Sequence, residues 1–186
     1  MKVAFIIGHT KLNKGAYSKH AEKYEYYFYK ELKPYLRTLG DVFTHNPLIY
    51  GYNSRQKNTA LKTKNYDLVF ELHFNSFDGK KEGCEALYYH SNNKTRLMAD
   101  SFCDYYTEQS GSSNRGAKPL KPNFIKQTRK LSKQQQRGLG FVYFQKPPAI
   151  LLEPFFGDNA IDYARFSPSI LQESLRKTIS FAETIL

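Results

Sequence analysis

Asp67-Leu68-Val69-Phe70-Glu71-Leu72-His73-Phe74-Asn75 is an apolar run that ends in polar side chains able to do chemistry. Residues 67–73 read as a strongly apolar strand, and period-two alternation puts Glu71, His73 and Asn75 on one face with Leu72 and Phe74 on the other. Three polar residues on one face of a core strand are unusual. Two more stretches repeat the pattern. Ile6-Ile7-Gly8-His9-Thr10 stops at His9, and Ala149-Ile150-Leu151-Leu152-Glu153-Pro154 stops at Glu153, where the proline breaks the strand. Buried strands that deliver functional groups at their C-terminal ends belong to open α/β sheets, which place their sites at that edge. Two histidines and carboxylates gathered there suit a hydrolytic zinc centre, with three protein ligands, a position for water and a separate carboxylate to handle protons.

Outward from these runs, residues 2–7 read as the first strand and 8–18 as the loop beyond it. A long helix is expected over 19–39, bent or interrupted by Pro34 and ended by Gly40. Residues 42–44 read as a short strand, followed by a polar loop with aromatics through Asn58. Cys84–Tyr89, 141–144 and Ala149–Glu153 read as strands, and 94–108 as a helix with Leu97, Phe102 and Tyr105 as candidate core positions. Ser167-Pro168, a cap followed by proline at the first helical position, opens a last helix to about Ile185. Strands alternating with helices predict an α/β fold: one domain over residues 1–186, a mainly parallel or mixed central sheet with helices on both faces, and the site at strand C-terminal ends. A chain of 186 residues can build such a core without disulfides.

Lys and Arg number 28 against 17 Asp and Glu, a formal charge of +11. That balance points to an anionic partner such as nucleic acid, a membrane surface or an acidic wall polymer. The basic residues concentrate in residues 118–146, where Lys118, Lys121, Lys126, Arg129, Lys130, Lys133, Arg137 and Lys146 occur without any Asp or Glu. Pro119, Pro122 and Gly138 predict an extended or partly helical excursion there, a surface able to hold anionic wall polymer by charge. Cys84 and Cys103 sit in no metal-spacing motif and read as two buried thiols. The N-terminal apolar run is too short for a signal peptide or a membrane span, so synthesis in the cytoplasm is expected.

On a helical wheel, Ala21, Phe28, Leu32, Tyr35, Leu36 and Leu39 form one stripe with Glu25 inside it, and Glu22 lies roughly a quarter-turn outside by the ~100° step per residue. A carboxylate on a core-facing stripe needs a cation or donors. A metal between helix and sheet would meet it, as would a nearby Lys at a half-exposed position. His73, nearest the strand end, is the natural ligand of its stretch, which leaves Glu71 and Asn75 to support the ligands or touch substrate. Glu153 against Phe155 and Phe156 has an apolar setting that raises a carboxyl toward general-base values. His20, His45 and His90 lack such context and read as surface or structural residues.

In chain order these pieces resemble the zinc-dependent N-acetylmuramoyl-L-alanine amidases of the amidase-3 type, especially compact bacteriophage endolysins. Gly8-His9-Thr10 is similar to the family's opening motif and Gly15-Ala16 to the Gly-Ala after it. Glu25-Tyr26, with Leu32, Pro34 and Leu36 downstream, resembles the helix carrying the ligand glutamate. Residues 71–75 resemble the His-x-Asn ligand strand, followed by a matching Gly83-Cys84-Glu85 stretch and Asn114-Arg115-Gly116-Ala117-Lys118. Residues 148–156, with Asn159 and Asp162, resemble the strand bearing the catalytic glutamate.

The resemblance implies His9, Glu25 and His73 as Zn2+ ligands, so Glu25 over Glu22, and Glu153 as the catalytic base. It implies bacterial peptidoglycan as partner, with cleavage between N-acetylmuramic acid and L-alanine during phage-induced host lysis. The enzyme would be made in the host cytoplasm and act at the wall, released through a separate holin-type pore, with no separate wall-binding domain in the chain. The nearest alternative is a related zinc peptidase acting on stem peptides. A nucleic-acid-binding protein using residues 118–146 fits the charge but leaves Glu25, His73 and Glu153 unexplained.

Overall fold

Six strands pair in the order β4-β1-β5-β8-β6-β7 in the computed structural model, which describes residues 1–122 and 138–186. They are β1 (Val3–Ile7), β4 (Asp41–Thr44), β5 (Leu68–Leu72), β6 (Cys84–Tyr89), β7 (Asn114–Leu120) and β8 (Ala149–Glu153). β4, β1, β5 and β8 run parallel, while β6 pairs antiparallel with β8 and parallel with β7. The sheet is therefore mixed. His9, His73 and Glu153 lie at or just beyond the ends of β1, β5 and β8, on one edge.

Strand alternation sorts the core into two layers. Val3, Phe5, Ile7, Leu68, Phe70, Leu72, Ile150 and Leu152 share one cluster with the helices on that side. Those helices are α1 (Glu25–Glu31), α2 (Lys33–Leu36), α4 (Asn93–Ser110) and α7 (Pro168–Ile185). Ala4, Ile6, Val69, Leu87, Ala149 and Leu151 face the other way, against α5 (Leu139–Phe144). Phe5 and Phe70 stack at 5.6 Å on neighbouring strands, each ring worth roughly 1.5–3 kcal/mol of burial. Capping follows local chemistry: the Asn92 side chain accepts the Thr95 N–H at the start of α4, and Gly111 closes it with φ 69°. Cys84 and Cys103 are buried free thiols, as expected.

Four local expectations fail. The helix predicted over 19–39 is instead a small hairpin, β2 (Tyr17–Ser18) with β3 (Lys23–Tyr24), followed by α1 and α2. Glu22 takes a left-handed φ of 53°, which no helix accommodates, and Ser18 Oγ accepts the Ala21 N–H in the turn before it. Pro34 falls in the first turn of α2, where its missing N–H costs nothing. The loop expected through Asn58 is largely α3 (Tyr52–Thr63), whose buried residues Gln56, Thr59, Ala60 and Thr63 form no apolar stripe to be read. Residues 141–144 belong to helix α5 and not to a strand; a short apolar run reads the same either way. Leu97 and Tyr35, expected in the core, are exposed, whereas Phe102 is fully buried.

Lys118 lies in β7, and residues 123–137 of the basic stretch fall outside the described residues. A side chain added at Gly138 would touch Leu120 and Leu151, so the described ends of that stretch meet over the sheet. Among the described residues no helix is long and apolar enough to cross a membrane. α6 (Ala160–Arg165) is capped by the Asn159 side chain, which accepts from Ile161 and Asp162 N–H.

Candidate active site

The ends of β1 and β5 are tied together where Gly8 N–H donates to the Leu72 carbonyl at 3.1 Å. Directly after it His9 takes φ 63°, a left-handed conformation uncommon for a residue with a side chain and frequent at functional positions. His73 is anchored through its backbone, donating N–H to Leu152 at 2.9 Å and accepting the Tyr29 hydroxyl at 2.6 Å. Glu25 opens α1, and its own N–H is held by the Ala16 carbonyl across the hairpin. Those three backbones aim their side chains at one point. His9 Nε2 lies 3.0 Å from Glu25 Oε2, and His73 Nδ1 lies 2.6 Å from Glu25 Oε1.

Ligand atoms of His9, Glu25 and His73 all fall within 4.8 Å of one another. Two imidazoles and one carboxylate make a donor set suited to a catalytic divalent cation, since structural zinc favours four closed, cysteine-rich ligands. The cradle is cut to these side chains. A Cβ on Gly8 would run into the His73 ring, and one on Gly15 would come within 2.6 Å of Glu25 Oε2. The residues present therefore fit such an ion.

Electrostatics agree. Burial by itself would push the Glu25 carboxyl up, but the His73 and His9 imidazoles offset it and bring it down to about 2. Burial would likewise lower His73, but Glu25 and then Glu71 raise it to about 10. In metal-free protein this pair sets a pH window. A raised His73 contributes stability that is full below pH 6.5 and lost as pH climbs toward 10. A depressed Glu25 contributes stability present above pH 4.5 and lost as pH falls toward 2. Thermal melting of chelator-treated protein is therefore expected to peak between about pH 4.5 and 6.5 and to decline on both sides; a melting temperature flat from pH 6.5 to 10 would contradict the His73 assignment.

Glu153 lines the same cleft, a volume of about 430 Å³ lined also by Tyr52, Phe74 and Leu151. The antiparallel β6–β8 pairing sets Glu85 directly opposite Glu153. Asn75 bridges them, its Nδ2 donating to Glu85 Oε1 at 2.7 Å and to Glu153 Oε2 at 3.0 Å. Arg115 Nε donates to the second Glu85 oxygen at 2.8 Å and balances its charge. Asp162 accepts the N–H groups of Gly83 and Phe156, tying the loops that frame this side.

Of the residues singled out from sequence, His9, Glu25 and His73 thus meet at one point, Glu153 lines the same cleft, and Asn75 is bonded to Glu153. Glu71 lies behind His73 and does not line the cleft. Glu22 stays outside both the helix and the cluster. Sequence reading undervalued His45, which is buried beside Glu71 at 2.6 Å. Its signal was present: it directly follows β4, as His9 and His73 follow parallel strands one and two places away. Glu85 and Arg115 were noticed only as parts of longer stretches.

A family model described as N-acetylmuramoyl-L-alanine amidase matches residues 3–182. The chain belongs to this amidase family. The catalytic domain of the CD27L endolysin targeting Clostridia difficile is similar at 25% identity, covering 96% of both chains with a TM-score of 0.72. An N-acetylmuramoyl-L-alanine amidase from Clostridium difficile 630 shares the amidase fold at 16% identity with a TM-score of 0.75, covering 99% of this chain and 97% of that one. The catalytic domain of CwlV, an N-acetylmuramoyl-L-alanine amidase from Paenibacillus polymyxa, superposes with a TM-score of 0.71 at 18% identity over both whole chains. No curated protein sequence matches this amidase-family chain.

Proposed function

We propose that this chain is a zinc-dependent hydrolase that cuts the amide between the lactyl group of N-acetylmuramic acid and the L-alanine of the peptidoglycan stem. The observation that carries the reading is the convergence of His9, Glu25 and His73 in a cleft that Glu153 also lines. His9, Glu25 and His73 would hold the ion. Zinc there supplies a Lewis acid that polarises the scissile carbonyl and lowers the pKa of water toward ~7.

The chain's own groups do the rest. Glu153 accepts a proton from the attacking water and returns it to the leaving amine, so that L-alanine departs with a free amino terminus. Asn75 fixes the Glu153 carboxylate by donating to one of its oxygens. Arg115 balances the charge of Glu85, the buried carboxylate opposite Glu153 in the β6–β8 register. Tyr52, Phe74 and Leu151 contribute apolar lining to the cleft.

The likeness to an endolysin catalytic domain supports a role in phage-induced lysis, with synthesis in the host cytoplasm and passage to the wall through a separate holin-type pore. Digestion of purified walls tests the chemistry. New L-alanine amino termini with intact glycan are expected, detected by end-group labelling and mass spectrometry. Free termini at other stem residues, with the lactyl amide intact, would make the enzyme a stem peptidase instead.

A further inference from the structure

Behind the metal-binding cluster lies a second, wholly buried group of polar side chains that the proposed chemistry does not use. Glu71 has no exposed surface, and His45, Gln56 and Thr59 are buried around it. Glu71 Oε1 takes two partners, His45 Nε2 at 2.6 Å and the Gln56 amide at 2.9 Å. The far nitrogen of His45 meets Thr59 Oγ1 at 2.8 Å, and Thr59 gives its own proton to the Arg55 carbonyl. One carboxylate oxygen is thus fully engaged while its twin is not. Glu71 Oε2 and His73 Nε2 are each buried without a hydrogen-bond partner among the described residues. They face each other at 3.5 Å.

A buried carboxylate on a central strand costs several kcal/mol unless it is well partnered. Three helix and loop residues are spent on holding this one still, with its open oxygen toward His73. His73 already has its backbone fixed at both ends, so the remaining freedom is the turn of the ring and the choice of which nitrogen carries the proton. Metal-binding histidines in general have both settled by an acceptor on the nitrogen away from the ion.

We propose that Glu71, clamped by His45 and Gln56, is a positioning residue that takes the Nε2 proton of His73 and commits Nδ1 to the cluster with His9 and Glu25. Its effect on zinc rests on the metal reading given above; its hold on the His73 ring does not. The arrangement makes Glu71→Gln informative. His45 and Gln56 would keep the amide oxygen, so the new NH2 group would point at His73 Nε2. That nitrogen must then offer a lone pair, which moves the proton to Nδ1 and sets it against the ion.

Nitrogen-15 NMR of the imidazoles and zinc titration against a chromophoric chelator test this together. In the metal-free parent, a His73 Nε2–H proton that is downfield and slow to exchange is expected, and it is lost in Glu71→Gln. Zinc affinity in that variant is expected to fall roughly 10- to 100-fold, with hydrolysis largely restored at saturating zinc. Should Glu71→Gln fail to fold, His45→Gln loosens the clamp but keeps the carboxylate, and a severalfold loss of affinity is expected. A parent His73 whose Nε2 carries no protected proton overturns the proposal, as does zinc affinity in the folded Glu71→Gln variant within twofold of the parent. A parent that shows the protected proton but takes up no zinc keeps the positioning role and removes the metal reading.

Discussion

Glu153→Gln is expected to lower turnover by about 10²- to 10⁴-fold while zinc stays bound. The substitution keeps the shape of the side chain, and its carbonyl oxygen can still accept from the Asn75 amide that meets Glu153 at 3.0 Å. It removes the ability to take a proton from water. Glu153 is not a member of the His9–Glu25–His73 cluster, so the metal content of the variant should match the parent. Release of soluble fragments from purified walls gives the rate, and chelator absorbance gives the zinc. Parental turnover in the variant would show that another group is the base.

His73→Ala is expected to abolish zinc binding and hydrolysis together, the second being at least as large an effect as the first. The ring supplies one of only two imidazoles in the cluster, and it is the leading reason that the buried Glu25 carboxyl stays ionised. Without it, Glu25 becomes a poorly compensated buried acid and binds a cation weakly. The fold should survive, because the hydrogen bonds that place residue 73 belong to its backbone. Circular dichroism close to the parent with no zinc retained is the expected outcome. One equivalent of zinc in the purified variant would remove His73 from the ligand set. Glu25→Ala should likewise lose zinc and Glu22→Ala should keep it, since Glu22 lies outside both the helix and the cluster.

β1, β5, β6 and β8 were legible because they are largely apolar runs that stop abruptly; β7, whose Asn114–Leu120 sequence carries no such run, was not. β6 and β8 fall where they were expected, and β1 and β5 within a residue. His9 and His73 were legible for a related reason, since polar groups at the end of a buried strand have few innocuous explanations; Glu25 was chosen over Glu22 only on the family resemblance. What failed was structure whose stabilisation is not written as periodicity. α3 buries Gln56 and Thr59 through hydrogen bonds to Glu71 and His45, which lie outside the helix, so its inward face looks polar. The hairpin before Glu25 depends on a left-handed Glu22, a conformation nothing local demands. His45 was passed over because its partner, Glu71, reaches it only once β4 and β5 flank β1.

Glu25 comes from a helix, and His9 and His73 come from the ends of two adjacent strands. No short fragment of the chain contains all three in register, so the ion-binding pocket exists only when the sheet and the first helix have closed on each other. An ion recognised by such a pocket acts as a ligand of the finished fold and is nearly blind to the open chain. Zinc at a hundred times its dissociation constant would then deepen the folded well by about 2.7 kcal/mol, a large share of the reserve of a typical domain. On the zinc reading proposed above, the melting temperature of this protein would gauge the metal supply around it, and the enzyme starved of zinc would be short-lived as well as idle.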